Sequence, residues 1–125
     1  MAYEGKKVLV VDNSKIMRQI IMRFLKELGF SDPVEAENGL VGLKKVAEEQ
    51  VDLIVSDWNN SSMTGLDFLK AVRADAKLKG IAFIMVTSEA NKEKIMEAVH
   101  AGVNQYIVKP FNAMQLEEKI NSIKF

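Results

Sequence analysis

Four polar side chains stand at the ends of four apolar runs. Residues 8–11 lead to Asp12, residues 53–56 to Asp57, residues 81–86 to Thr87 and residues 106–108 to Lys109. Two carboxylates at one edge repel each other unless a proton or a cation lies between them. An oxygen-rich cluster of this kind suits Mg²⁺, which takes one or two carboxylates and keeps several waters. Lys109 adds a fixed positive charge and Thr87 a hydroxyl donor. Such a pocket suits a phosphoryl group. The Asp57 carboxylate can attack phosphorus and form an acyl phosphate. The metal and Lys109 then neutralise the equatorial oxygens, and Thr87 hydrogen-bonds one of them. Without a cation the pocket would repel phosphate, so Mg²⁺ is a requirement of this chemistry. The competing reading of Asp57 is a carboxylate that merely caps the next turn. Asp12, ending a neighbouring run in the same way, weighs against it.

The elements that must position these residues are legible as alternating strands and helices. The strand-like runs are rich in Val and Ile and do not alternate with polar residues, as in buried parallel strands. Ser14 serves as a helix N-cap. Ile16, Met17, Ile20, Ile21, Phe24, Leu25 and Leu28 then recur at helical spacing, with Lys15, Arg18, Gln19, Arg23, Lys26 and Glu27 on the opposite face. Gly29 ends that helix. Pro33 precedes a short edge strand over residues 34–36. Asn38-Gly39 reads as a turn, before a helix marked by Leu40, Leu43, Val46 and Ala47. Residues 59–65 form a polar loop. Leu66, Phe68, Leu69 and Val72 mark a third helix, broken at Lys79-Gly80. Ile95, Met96 and Val99 mark a fourth, ended by Gly102. Asn112 and Gln115 have capping-box spacing for a fifth, with Ala113, Leu116, Ile120 and Ile123 on its buried face. Five βα units with short connections imply right-handed crossovers and a five-stranded parallel sheet, doubly wound, with helices on both faces. In such a sheet the carboxyl ends of the strands share one edge, where ligands bind.

Composition excludes several alternatives. The 125 residues are expected to form one domain, with no repeat, low-complexity tract or linker. Lys plus Arg number 17 and Asp plus Glu number 17, so no global field draws in nucleic acid or anionic lipid. There is no cysteine, hence no disulfide and no thiolate chemistry. No apolar stretch approaches the roughly 20 residues of a membrane span, and the N-terminus is no signal peptide. The cytoplasm is the expected location.

The chain resembles the receiver domain of response regulators, and within that family the single-domain chemotaxis regulators. The resemblance covers nearly the whole chain and rests on VLVVD at 8–12, FLKELGF at 24–30, SDWN at 56–59, MVTSEA at 85–90 and YIVKPF at 106–111. It implies a flavodoxin-like (βα)5 fold with strand order 2-1-3-4-5. It makes Asp57 the phosphoacceptor for a histidine kinase. Asp12, Asn13, Asp57 and the main-chain carbonyl of Asn59 would hold Mg²⁺, while Thr87 and Lys109 would bind the phosphoryl group. Tyr106 would be an aromatic switch that turns inward on activation; from spacing alone it reads equally as a half-buried tyrosine. A cis Lys109-Pro110 bond would aim Lys109 into the pocket. Glu89 and Asn59, two residues beyond Thr87 and Asp57, would flank the route of attacking water.

With no output domain, the response would be a protein contact. The resemblance places it on the face of helix 4, strand 5 and helix 5, at Lys92, Ile95, Val99, Val103, Tyr106, Leu116 and Lys119, with a flagellar motor switch protein as the expected partner. The chain would act as a monomer. It would not be an enzyme on other molecules, though it would phosphorylate itself from small donors and dephosphorylate itself.

Three positions depart from the family pattern. Asn13 stands where a second acidic residue is usual. One charge pair at about 4 Å and an effective dielectric near 20 is worth roughly 4 kcal/mol, which solvent reduces to about 1–3 kcal/mol, or roughly ten- to hundredfold in Mg²⁺ affinity. Asn60-Ser61 replaces a favoured Met-Pro, loosening the loop. Thr64 stands where Asp is common, and Gly65 is retained as expected for a tight turn. These departures leave open a pseudo-receiver that binds partners without phosphorylation. A haloacid-dehalogenase-type phosphatase would need an Asp where Asn59 stands, and a flavodoxin would need a hydroxyl-rich loop where Asp12-Asn13 stands. His100 is expected to be an exposed side chain.

Overall fold

Residues 3–59, 62–88 and 91–123 are described by a computed structural model; Asn60, Ser61 and Glu89 lie outside them. The order is β1 (Val8–Val11), α1 (Lys15–Leu28), β2 (Val34–Ala36), α2 (Gly39–Glu48), β3 (Leu53–Asp57), α3 (Gly65–Ala74), β4 (Ala82–Thr87), α4 (Lys92–His100), β5 (Gln105–Val108) and α5 (Ala113–Asn121). All strands are parallel, in the order β2-β1-β3-β4-β5. β1, β3 and β4 are buried along their whole length, which is why their sequences run apolar without alternation. The edge strands β2 and β5 are only partly covered. Among the described residues, no helix is long and apolar enough to cross a membrane.

Register does the positioning. Val11 pairs with Ser56, so Asp12 stands level with Asp57 across β1 and β3. Asp57 pairs with Val86, one residue before Thr87, and Thr87 pairs with Val108, one residue before Lys109. The four polar residues therefore reach one edge, with Thr87 one residue and Lys109 two residues beyond the level of Asp12 and Asp57. Successive side chains on a strand face opposite ways, and the core divides accordingly. Val8, Val10, Leu53, Val55, Ile84, Val86 and Ile107 pack with Ile21, Leu25, Leu116 and Ile120 of α1 and α5. Leu9, Val11, Ile54, Phe83 and Met85 pack with Val46, Phe68, Leu69, Val72 and Ala98 of α2, α3 and α4. Asp12, Asp57 and Lys109 share the parity of the first set.

Helix ends follow the expected signals, with corrections. Ser14 accepts from Met17 N (3.2 Å), and Gly29 takes a left-handed conformation beyond α1. Asn112 and Gln115 form the expected capping box. Asn38-Gly39 is not a turn: Asn38 caps α2 by accepting from Val41 N (3.0 Å), and Gly39 is already helical. α3 ends at Ala74 rather than at Lys79-Gly80. The Asp75 carboxylate takes Lys77 N (2.8 Å) and its main-chain oxygen takes Lys79 N (2.9 Å), which folds residues 75–79 into a turn.

Several apolar helix positions are not core. Ile16 is 69% exposed, one position and about 100° around the helix from Met17, which packs inward. Leu40 and Ala47 are exposed on α2. On α4 only Ala98 is buried, while Met96 and Val99 face solvent. Leu116 is fully buried against β-strand residues and so cannot belong to a docking face.

Candidate functional site

Asp57 arrives at the sheet edge as the last residue of β3, with its main chain fixed from two sides. Trp58 N donates to Val86 O of β4 (2.8 Å), and Gly65 N donates to Trp58 O (2.8 Å). A Cβ at Gly65 would collide with the main-chain oxygen of Asp57 and fall 2.9 Å from Trp58 Cα. The glycine was expected for a tight turn. It is instead the first residue of α3, and the close approach of helix and strand is what excludes a side chain there. Thr64, unusual for the family, is the N-cap of this helix and accepts from Asp67 N (3.1 Å).

Asp12 is only 1% exposed and is held at every polar point. Its Oδ1 accepts from Ser14 N (2.8 Å) and its Oδ2 from Lys109 Nζ (3.3 Å). Its N donates to Ala36 O (3.2 Å), and its main-chain oxygen accepts from Arg18 Nη1 (2.6 Å). Lys109 follows β5. Its N donates to Thr87 O (2.8 Å), and the Lys109-Pro110 peptide is cis, as the family resemblance implies. The Lys109 ammonium lies 3.1 Å from Asp57 Oδ1, so a single cation joins both buried carboxylates.

The electrostatics follow from burial and this triad. Burial pushes the Asp57 carboxyl above its ordinary range, Lys109 and the Trp58 amide pull it back, Asp12 pushes it up again, and the net shift is upward. Burial pulls the Lys109 ammonium down, but Asp57 and Asp12 outweigh it and the net shift is upward. Two carboxylates share one ammonium, which leaves net negative charge in the cleft.

Thr87 is buried at the end of β4, next to the residue that pairs with Asp57. Asn13 and Asn59 directly follow Asp12 and the Asp57-Trp58 pair, and both are exposed. Tyr106 pairs in register with Met85 and is half-buried against the α4-side core, with Lys119 Nζ 5.2 Å from its ring centroid. Among the described residues, no group of three or more His, Cys, Asp or Glu side chains forms a metal site. What the edge does hold is the two buried carboxylates of Asp12 and Asp57. These are hard oxygen ligands with surplus negative charge, which fits Mg²⁺. His100 is exposed, as expected.

Sequence reading placed Arg18 among the outward residues of α1, and that is corrected here. Its side chain is 13% exposed and bridges the main chain of Asp12 to Glu35 (2.7 Å). No periodicity signal distinguishes it from its neighbours; only its position one turn beyond Ser14 points toward the site. Lys94 lies 5.7 Å from the centroid of the Trp58 ring, a link between α4 and the residue after Asp57 that spacing alone does not reveal.

Residues 8–121 match the response regulator receiver domain family. The chemotaxis protein CheY of Pseudomonas aeruginosa is 48% identical over 117 residues, covering 94% of this chain and 94% of that protein. The structure of Vibrio cholerae CheY4 superposes with a TM-score of 0.89 at 34% identity, covering 95% of this chain and 98% of the other. The receiver domain of a sensor histidine kinase from Pseudomonas aeruginosa, with a magnesium ion in its own active-site cleft, shares the fold at 22% identity and a TM-score of 0.82, covering 91% and 93%. With the parallel 2-1-3-4-5 sheet and its acidic edge, these likenesses show that the chain belongs to the response regulator receiver domain family, among its CheY-like chemotaxis members.

Proposed function

We propose that the chain is a phosphorylation switch in which Asp57 accepts a phosphoryl group from a histidine kinase. The observation that carries this reading is the Lys109 ammonium seated 3.1 Å from Asp57 and 3.3 Å from Asp12 at the sheet edge. An Asp57 carboxylate oxygen attacks phosphorus, the bond from phosphorus to the donor nitrogen breaks, and an acyl phosphate forms. Lys109 meets the negative charge of the phosphoryl oxygens, and the Thr87 hydroxyl donates to one of them. Mg²⁺, held by Asp12, Asn13, Asp57 and the Asn59 carbonyl, supplies further charge neutralisation when bound. Small donors such as acetyl phosphate serve in place of the kinase, and water later attacks phosphorus, breaks its bond to the Asp57 oxygen and releases inorganic phosphate, so the protein acts on its own side chain and not as an enzyme toward other molecules.

The output is a contact made by α4, β5 and α5. Lys92, Met96, Val99 and Lys119 offer the accessible side chains of that face, with Tyr106 half-buried among them. As Thr87 moves toward the phosphoryl group, Tyr106 turns inward and the face changes shape. A partner that binds the altered face more tightly shifts the equilibrium by its difference in affinity. A flagellar motor switch protein is the partner consistent with the chemotaxis relatives, and the chain binds it as a monomer.

Intact mass after incubation with acetyl phosphate and Mg²⁺ tests this directly. One phosphoryl adduct is expected, and none on Asp57→Ala. Absence of the adduct at saturating Mg²⁺ would favour the second reading, a pseudo-receiver that binds partners unphosphorylated, for which Asn13 in place of an acid is the specific observation. In the same samples Trp58, the only tryptophan, reports metal binding by fluorescence. Asn13→Asp is expected to tighten Mg²⁺ binding about ten- to hundredfold, the return of one carboxylate at close range. An unchanged titration midpoint would show that residue 13 is not a ligand.

A further inference from the structure

Arg18 and Glu35 lie outside the set of residues to which the proposed reaction gives a role. Arg18 sits in the first turn of α1 and reaches back to the end of β1, where its Nη1 donates to Asp12 O at 2.6 Å. Its Nε donates to Glu35 Oε1 on β2 at 2.7 Å. The Arg18 side chain is 13% exposed and the Glu35 side chain 44%, so the pair runs from the end of β1 out to solvent. Lys45 Nζ approaches the same strand, donating to Glu35 O at 2.6 Å. Besides Lys109, a second fixed cation therefore lies against the main chain of Asp12. Glu35 is the carboxylate in contact with it.

Resting on the phosphoacceptor reading, we propose that Glu35 is a positioning and tuning residue, which masks the Arg18 charge and so sets the balance of the cleft between a divalent cation and a phosphoryl anion. Without the mask, the Arg18 charge at the Asp12 main chain adds to the Lys109 ammonium that already meets Asp12 and Asp57, and offsets the remaining negative charge. With the mask, the cleft keeps one net negative charge for the metal. Asn13 sharpens this dependence, because position 13 supplies no acid to absorb an extra positive charge.

The test is Glu35→Gln, an isosteric change at a half-exposed side chain that keeps an oxygen acceptor for Arg18 Nε. Mg²⁺ alone is titrated by calorimetry and Trp58 fluorescence at low and high salt. The acetyl phosphate concentration giving half-maximal adduct is then measured at saturating Mg²⁺. Mg²⁺ binding is expected to weaken about three- to tenfold at low ionic strength and by less at high salt, where a Debye length of a few ångströms screens the pair. The half-saturating acetyl phosphate concentration is expected to fall. Structural damage would weaken both, so a joint loss overturns the proposal, as does no change in either. The double variant Glu35→Gln/Arg18→Gln removes the unmasked charge and is expected to recover Mg²⁺ affinity; failure to recover it also overturns the assignment. If the native chain binds no Mg²⁺ and forms no adduct, the phosphoacceptor reading itself fails, and this inference with it.

Discussion

Lys109→Met is expected to slow adduct formation from acetyl phosphate by about a hundred- to a thousandfold, the loss typical when one preorganised charge-stabilising donor is removed from a reacting group. Lys109 is the cation in contact with both Asp57 and Asp12, and methionine matches its stem without its charge. A second signature follows from protonation. In the native chain burial raises the Asp57 carboxyl above 3.8, Lys109 opposes that rise and Asp12 adds to it. Removing Lys109 leaves burial and Asp12 pushing upward against the Trp58 amide alone, so the pH profile of adduct formation, which needs the ionised carboxylate, shifts to higher pH.

The stability signs agree. A carboxyl whose folded pKa is raised contributes stability that is present below its unfolded value, 3.8, and lost as pH rises through the folded value. In Lys109→Met that loss extends over a wider window above 3.8. The raised Lys109 ammonium contributes stability that is present below 10.5 and lost as pH rises beyond it. The variant no longer has that alkaline loss. Stopped-flow mass analysis across pH, with thermal unfolding in EDTA, reads both effects. A rate within a factor of three of native would mean that Lys109 is not part of the phosphoryl site.

Gly65→Ala is expected to cost about 3 kcal/mol or more, because the added methyl meets main-chain atoms that cannot rotate aside. Its Cβ would lie against the Asp57 oxygen and 2.9 Å from Trp58 Cα, so α3 must move off the end of β3. For a domain of this size that amounts to a fall of roughly 10 °C in Tm. The Gly65 N to Trp58 O bond is lost in the same movement, and adduct formation falls with it. Gly80→Ala is the control. Nothing lies within 4 Å of a Cβ there, so Tm should hold or rise slightly. Equal melting of native protein and Gly65→Ala would contradict the close packing of α3 on the end of β3.

The fold was legible because buried parallel strands announce themselves. Residues 8–11, 53–56 and 81–86 read as largely apolar runs, leading to Asp12, Asp57 and Thr87 at the same edge. Strand order came from the family resemblance alone, since β2 is three residues long and periodicity says nothing about neighbours. That Lys109 brings its charge to the same edge as Asp57 and Asp12 followed from the strand ends; its contact with both carboxylates did not. What stayed hidden were contacts between elements. Arg18 looked like one of several surface cations until β2 brought Glu35 against it. Asn38 looked like a turn because Asn-Gly favours turns and N-caps alike. Periodicity put Leu116 on the buried face, where it lies; the resemblance placed it on the docking face as well, which its full burial excludes.

α4 buries Ala98 alone, and its Met96 and Val99 side chains face outward. Side chains that carry none of the core can be exchanged at small cost in stability, usually within about 0.5 kcal/mol. Asp12, Asp57, Thr87 and Lys109, by contrast, are set by sheet register and cannot drift without disturbing the strands. Inheritance can therefore act separately on the two halves of the molecule: duplicated copies of such a gene can be rewired to new targets through substitutions on α4 while the chemistry at the sheet edge is passed on unaltered.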